Sequence, residues 1–295
     1  MNIRPYLVLV RPANVVTAIA DILAGVAIAG VFSTPPFNQY WEVGLLILST
    51  IGLYSGGIVF NDVFDYKIDR VERPERILPS RILSIRKAKL FGVILFWLGI
   101  MSANLVSRNS TLLAIAITGL ALLYDKYSKH IQVIGPLNMG LCRAGNLLLG
   151  MSISATALQT YWWIGIIPVL FISAITLTSQ KENAGNNRAS IGIAMLLDFS
   201  ILLILGYLVL IGVMGFWTTF PLLLVWYGAN AYAKGRAIRF NEPANVKKAV
   251  RYGILSLIPL DASLASGFSS NLLVGFGVML LLPLSFWLAK QFAVT

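Results

Sequence analysis

Apolar runs broken by short polar stretches recur along the whole chain and place candidate helices at 13–32, 42–62, 88–107, 110–124, 133–155, 160–179, 190–211, 214–233, 247–266 and 271–293. Each run approaches the length of about 20 apolar residues that an α-helix needs to cross a hydrocarbon layer. Ten such helices take roughly 200 positions and leave about 95 for loops and termini. The pattern therefore predicts an all-α integral membrane protein, a bundle of about ten transmembrane helices forming one polytopic domain over residues 1–295. The first run contains Ala27-Ile28-Ala29, which resembles a signal-peptide cleavage site. At about 20 residues it exceeds a signal core of roughly 7 to 15, so an uncleaved span is expected.

Composition agrees: 57% of residues are apolar and 12% charged, against roughly 25% charged in an average soluble domain. The net charge of +11 would suggest nucleic acid in a soluble protein. The charges follow the spans instead. With the N-terminus inside, 21 of the 23 Lys and Arg residues fall on inner connections, leaving Arg108 outside and Arg143 within a span. This positive-inside asymmetry explains the charge, and no nucleic-acid partner is expected. Tyr40, Trp41, Trp162, Trp163 and Trp217 fall near predicted outer helix ends, as an aromatic belt requires. A single cysteine, Cys142, and a single histidine, His130, exclude a disulfide framework and a multi-histidine or cysteine-rich metal site. Any bound cation must use oxygen donors.

The longest connection, between the second and third spans, concentrates acids. It begins Asn61-Asp62-Val63-Phe64-Asp65-Tyr66-Lys67-Ile68-Asp69 and continues through Arg73-Pro74-Glu75-Arg76 to Leu78-Pro79-Ser80. If the second helix continues, offsets of 3 and 7 put Asp62, Asp65 and Asp69 on one face. Three carboxylates so placed repel one another unless a cation lies between them. Hard oxygen donors suit Mg²⁺, which keeps several waters and bridges to substrate phosphates. Arg73 and Arg76 supply the positive half of a diphosphate site. A solvated charged loop fits the same charges; placement directly after an apolar helix favours a site.

The N-D-x-x-D-x-x-x-D pattern of Asn61, Asp62, Asp65 and Asp69, followed by Arg73-Pro74 and Leu78-Pro79-Ser80, resembles the UbiA superfamily of intramembrane prenyltransferases. Arg11-Pro12 with Asn14, and Leu123-Tyr124 with Lys126 and Lys129, support the resemblance, which covers most of the chain. Within the superfamily the chain looks most like the EboC-type branch. The resemblance implies a bundle of nine to ten helices and Mg²⁺ as cofactor. It also implies a prenyl diphosphate bound through two Asp-rich loops on the cytoplasmic side, and transfer of the prenyl group to a hydrophobic or aromatic acceptor. Asp62, Asp65 and Asp69 become the metal-binding and catalytic candidates. Asn14, Asn61, Arg73, Arg76, Tyr124, Lys126 and Lys129 become substrate-binding candidates, in contact with membrane lipid, and the expected location is a bacterial inner membrane.

The second Asp-rich motif departs from this pattern. After the sixth span the chain reads Ser179-Gln180-Lys181-Glu182-Asn183-Ala184-Gly185-Asn186-Asn187-Arg188. Gln180, Asn183 and Asn187 repeat the 0, 3, 7 spacing of the aspartates, four spans later and on the same side, with amides in place of acids. They are expected to face the diphosphate, although a polar loop has the same composition. The missing acids also fit a non-catalytic protein that binds or exports a lipid-like metabolite. Asp21, Arg143, Asp198 and Asp261 fall within spans, where charge is costly and marks function or internal pairing; Arg143 with Asp198 is the expected ion pair. Asn138 and Asn146 are expected to bond between helices, and Asp125 sits beside Lys126 at the site or at an ordinary helix end.

Overall fold

The computed structural model describes residues 3–33, 39–131, 133–180 and 187–292, and every regular element among them is helical. In chain order these are α1 (Arg4–Val10), α2 (Pro12–Ile28), α3 (Tyr40–Glu72), α4 (Ile85–Asn104), α5 (Arg108–Lys126), α6 (Ile134–Met151) and α7 (Ala155–Tyr161). They continue as α8 (Ile166–Ser179), α9 (Arg188–Leu210), α10 (Phe216–Arg239), α11 (Pro243–Leu255), α12 (Leu257–Ser269), α13 (Leu272–Met279) and α14 (Leu281–Gln291). Short 3₁₀ turns occupy Ser128–His130 and Trp162–Gly165.

Among the described residues, four helical stretches, two of them made of consecutive helices, are long and apolar enough to cross a membrane: Tyr40–Glu72, Ala155–Ser179, Arg188–Leu210 and Leu272–Gln291. The α1–α2 pair, bent by 53°, makes a fifth if taken as one span. The apolar runs at 247–266 and 271–293, each expected as one helix, are interrupted at Ser256 and Leu280. Proline explains both breaks. Pro259 and Pro283 have no N–H to give the carbonyls of Leu255 and Met279, the residues at which α11 and α13 end.

The first span is set off by Arg11, whose backbone is left-handed (φ 50°) and which ends α1 and begins α2 at Pro12. From there α2 runs through the centre of the bundle against α6, α12 and α14. Its contact with α6 is glycine-lined. A Cβ on Gly25 would lie 2.2 Å from Leu147 O, and one on Gly150 would lie 2.4 Å from Ile22 O. With no hydrophobic drive between helices in lipid, such close backbone approach is a main source of packing energy.

Two apolar cores flank α2. One is built from α6, α8, α9, α10 and α12 around Phe171 and Trp226, whose rings meet edge to face at 5.2 Å. The other joins α2 to α3, α4, α5 and α6 around Leu46, Leu53 and Phe96. The 33-residue α3 is the longest element. At 1.5 Å per residue it spans about 50 Å, against a hydrocarbon layer of roughly 30 Å. Its last turns, which carry Asp62, Asp65 and Asp69, therefore extend past the apolar layer.

Candidate functional site

Past α3, the segment 73–84 folds back on the helix instead of trailing into solvent. Leu78 and Leu83 are buried against Leu9, Val59, Val63 and Ala88, and Arg81 takes a left-handed backbone (φ 61°) that turns the chain. This return brings Arg76 alongside the acidic face. Its Nη1 donates to Asp69 Oδ2 at 2.8 Å and lies 3.8 Å from Asp62 Oδ1. Arg11, held at the α1–α2 bend, reaches Asp62 Oδ1 from the other side at 2.5 Å. Lys129, in the 3₁₀ turn after α5, pairs with Asp65. That turn is fixed by the hydrogen bond between Ser128 Oγ and the Asn138 amide of α6 at 2.9 Å, the interhelical use expected of Asn138.

The three aspartates thus share one face of α3, as their spacing predicts, and each holds a different cation. Among the described residues no three acids converge closely enough to form a preassembled metal cage. The donor chemistry nevertheless fits Mg²⁺, since the carboxylates are hard oxygen donors backed by positive groups suited to phosphate oxygens. Two buried polar atoms here lack protein partners, Arg76 Nε and Asp125 Oδ2. Asp125 is buried at the end of α5, where its Oδ1 accepts from Asn61 Nδ2 at 2.9 Å. Asn61 thus holds a second acid through its Nδ2.

Below this charged mouth lies a cavity of about 420 Å³ between α2, α3, α5, α6, α8, α11 and α12. Arg11, Asn14, Asn61, Tyr124 and Asp125 line its polar end, and Leu53, Ile117, Ile172, Ile175, Ile254 and Leu257 its apolar walls. Asp125 is its only acidic lining residue among those described. The candidates Asn14, Asn61 and Tyr124 are thus gathered at one place.

Other candidates separate from it. Arg73 and Lys126 are exposed, and Lys126 lies over the Tyr127 ring at 4.8 Å. They take no part in the ion-pair cluster. Of the second motif, Gln180 stands just past the end of α8 and Asn187 just before the start of α9. Asn183 lies outside the described residues, and Gln180 caps α8. Asn187, buried, clamps the connection. Its Nδ2 donates to Thr178 O at 3.0 Å and Gln180 O at 2.8 Å, and its Oδ1 accepts from Asn241 Nδ2 at 3.0 Å. The amide at this position is thus engaged with the backbone of the α8 end and with Asn241.

The buried charges also pair differently from expectation. Arg143 Nε lies 3.1 Å from Asp21 Oδ2, and its Nη2 donates to Thr17 Oγ1 at 2.9 Å. Asn146 joins them by donating to Asp21 Oδ2 at 2.8 Å and accepting from Thr50 Oγ1 at 2.6 Å. Asp198 is held instead by Lys234 of α10 at 2.5 Å. Arg143 projects from α6 toward α2, whereas Asp198 on α9 faces α10, so the two cannot meet. Arg11 is the residue that sequence reasoning undervalued. Its signal was the Arg11-Pro12 dipeptide, which sets the bend that aims the guanidinium at Asp62.

The described residues thus form a helical bundle with a charged cluster at one end of a largely apolar cavity. The chain belongs to the UbiA prenyltransferase family, whose model matches residues 19–258. Among similar proteins, the digeranylgeranylglyceryl phosphate synthase of Sulfurisphaera tokodaii is 30% identical over 188 residues, covering 61% of this chain and 63% of that protein. The synthase of the same name from Methanosarcina mazei is 31% identical over 190 residues, covering 61% of this chain and 64% of that one. The matched region thus spans less than two thirds of these curated relatives. The fold resembles a solved structure of a digeranylgeranylglyceryl phosphate synthase (TM-score 0.70, 20% identity, 91% of this chain and 99% of that chain). It also resembles that of a UbiA homologue from Archaeoglobus fulgidus bound to GPP and Mg²⁺ (TM-score 0.66, 14% identity, 93% of this chain and 99% of that chain).

Proposed function

We propose that the protein transfers a prenyl group from an isoprenoid diphosphate to a hydroxyl of a lipid-like acceptor, with the site on the cytoplasmic side of the membrane. The observation that carries this reading is the set of ion pairs between Asp62, Asp65, Asp69 and Arg11, Lys129, Arg76 at the mouth of the apolar cavity. Arg11, Arg76 and Lys129 would exchange their carboxylate partners for diphosphate oxygens, and the released Asp62 and Asp65, helped by Asp69, would hold Mg²⁺. Mg²⁺, when bound, supplies charge neutralisation on the diphosphate as the carbon–oxygen bond breaks. The walls, through Ile172, Ile175 and Leu257, keep water from the allylic carbon while its bond to the leaving diphosphate is lost. The acceptor oxygen forms the new bond to that carbon, its proton passes to Asp125 Oδ2, and diphosphate departs with the electron pair of the broken bond.

The named relatives support an acceptor of the glyceryl phosphate kind over the hydrophobic or aromatic one inferred from the sequence. The test is release of diphosphate by purified protein from a panel of prenyl diphosphates, with and without Mg²⁺ and glyceryl phosphate lipids. Acceptor-stimulated release is expected; no release under any pairing would overturn the reading.

One observation favours a second reading, a non-catalytic protein that binds or helps export a lipid-like metabolite, as the EboC-type likeness implies. The second motif carries amides, and Asn187 is tied into the backbone. In that case prenyl diphosphate binds without turnover.

A further inference from the structure

A second cavity of about 300 Å³ lies beside the first, between α2, α11 and α14. Asn14, Thr17, Val250 and Ile254 line both, so the two spaces adjoin along α2 and α11. On the side away from the first cavity its wall carries Lys247 and Arg251, four residues apart and therefore on one face of α11. Both are exposed, and neither has a carboxylate partner among the described residues.

The helices that wall it carry no acid toward it, and the nearest acid along the chain to Lys247 is Glu242, at the N-cap of α11. The α11 and α14 helices contain no acid, and the single acid of α2, Asp21, is held by Arg143 deeper in the bundle. The rest of the wall is mostly apolar, with Asn14, Thr17 and Ser285 as its uncharged polar members, and Phe286, 39% exposed, marks where it opens. Two unopposed cations beside an apolar, laterally open wall suit an amphiphile with a compact doubly charged head. A phosphate monoester carries close to two negative charges at neutral pH, as a phosphorylated side chain does, and matches a pair of cations.

We propose that Lys247 and Arg251 bind the phosphate monoester head of the acceptor lipid, fixing its free hydroxyl on the Asn14 side, toward the first cavity. The proposal deepens the prenyl-transfer reading and rests on it for the word acceptor. The donor diphosphate keeps Arg11, Arg76 and Lys129, so each anion has its own cations and the two substrates do not compete for one site.

The test uses the full chain in phosphatidylcholine nanodiscs, where phosphodiester heads are already in excess and simple headgroup anchoring is saturated. Binding of an alkylglycerol monophosphate, the same alkylglycerol without phosphate, and a fatty acid of equal length is read by native mass spectrometry. The monophosphate should bind at least about tenfold more tightly than the other two, a difference of roughly 1.4 kcal/mol. The double variant Lys247→Gln/Arg251→Gln, at exposed positions that leave the core intact, should lose that preference. Asp62→Asn should keep it. Equal affinity for the three lipids, or an undiminished preference in the double variant, would overturn the proposal. Failure of the catalytic reading is separate: it appears as absent diphosphate release, while the lipid preference and its loss in the double variant remain measurable.

Discussion

Asp62 is the residue on which the site turns, because among the described acids it alone is approached by two cations from different parts of the chain, Arg11 at 2.5 Å and Arg76 at 3.8 Å. Replacing it would remove a proposed metal donor and leave Arg11 without its carboxylate, while Arg76 would keep only Asp69. Hydrogen bonds to charged groups contribute about 1.5–3 kcal/mol, so Asp62→Ala should weaken Mg²⁺-dependent binding of a prenyl diphosphate by roughly ten- to a hundredfold. Asp198→Ala, compared by calorimetry on folded protein, should change that binding little. Equal effects would make Asp62 a purely structural residue. Asn187 makes the opposite case. Since its Nδ2 donates to two carbonyls, Asn187→Asp would set a carboxylate against Thr178 O and Gln180 O. Loss of these buried bonds should destabilise the protein by about 1–3 kcal/mol in thermal melts and should not tighten metal binding.

At the scale of elements, the α2–α6 contact fixes where Arg11 and Asn14 stand. Gly25 and Gly150 leave no space for a side chain on either helix, so Gly25→Ala must push the backbones apart. Overpacking of this kind costs about 1–3 kcal/mol. A lower melting temperature in Gly25→Ala, with no change in Gly228→Ala where a Cβ meets nothing within 4 Å, is the expected result. Helices of this fold were readable from the sequence because each needs only its own apolar run. The face shared by Asp62, Asp65 and Asp69 was readable for a similar reason, since spacing within one helix determines it. Less legible were features that depend on which elements become neighbours. The exchange of partners between Arg143 and Asp198 is one: both charges were visible, but their choice of Asp21 and Lys234 is set by packing. The repeated spacing of Gln180, Asn183 and Asn187 says little about a shared face, because α8 ends at Ser179, before the first of them, and a periodicity has meaning only inside a continuous helix. Pro259 and Pro283 could have foretold the breaks near Ser256 and Leu280, had they outweighed the apolar pattern around them.

For the whole molecule, the partition of 21 of 23 basic residues to one side predicts ten spans with both termini inside. Reporter fusions after Thr295 and within residues 234–246 should both give an internal signal. An external signal at Thr295 would refute the even number. Asp62, Asp65 and Asp69 are matched by Arg11, Lys129 and Arg76, so in the unliganded protein none of these three acids needs a metal to compensate it. Chelation with EDTA should accordingly leave the melting temperature unchanged. The same matching makes the site behave like two locks that hold each other's keys. On the proposed function, diphosphate drawing the bases away would free the acids for Mg²⁺, and Mg²⁺ on the acids would in turn release the bases. Titrated separately, each ligand should bind weakly. Titrated together, each should tighten the other by the same factor, because coupling between two binding equilibria is reciprocal.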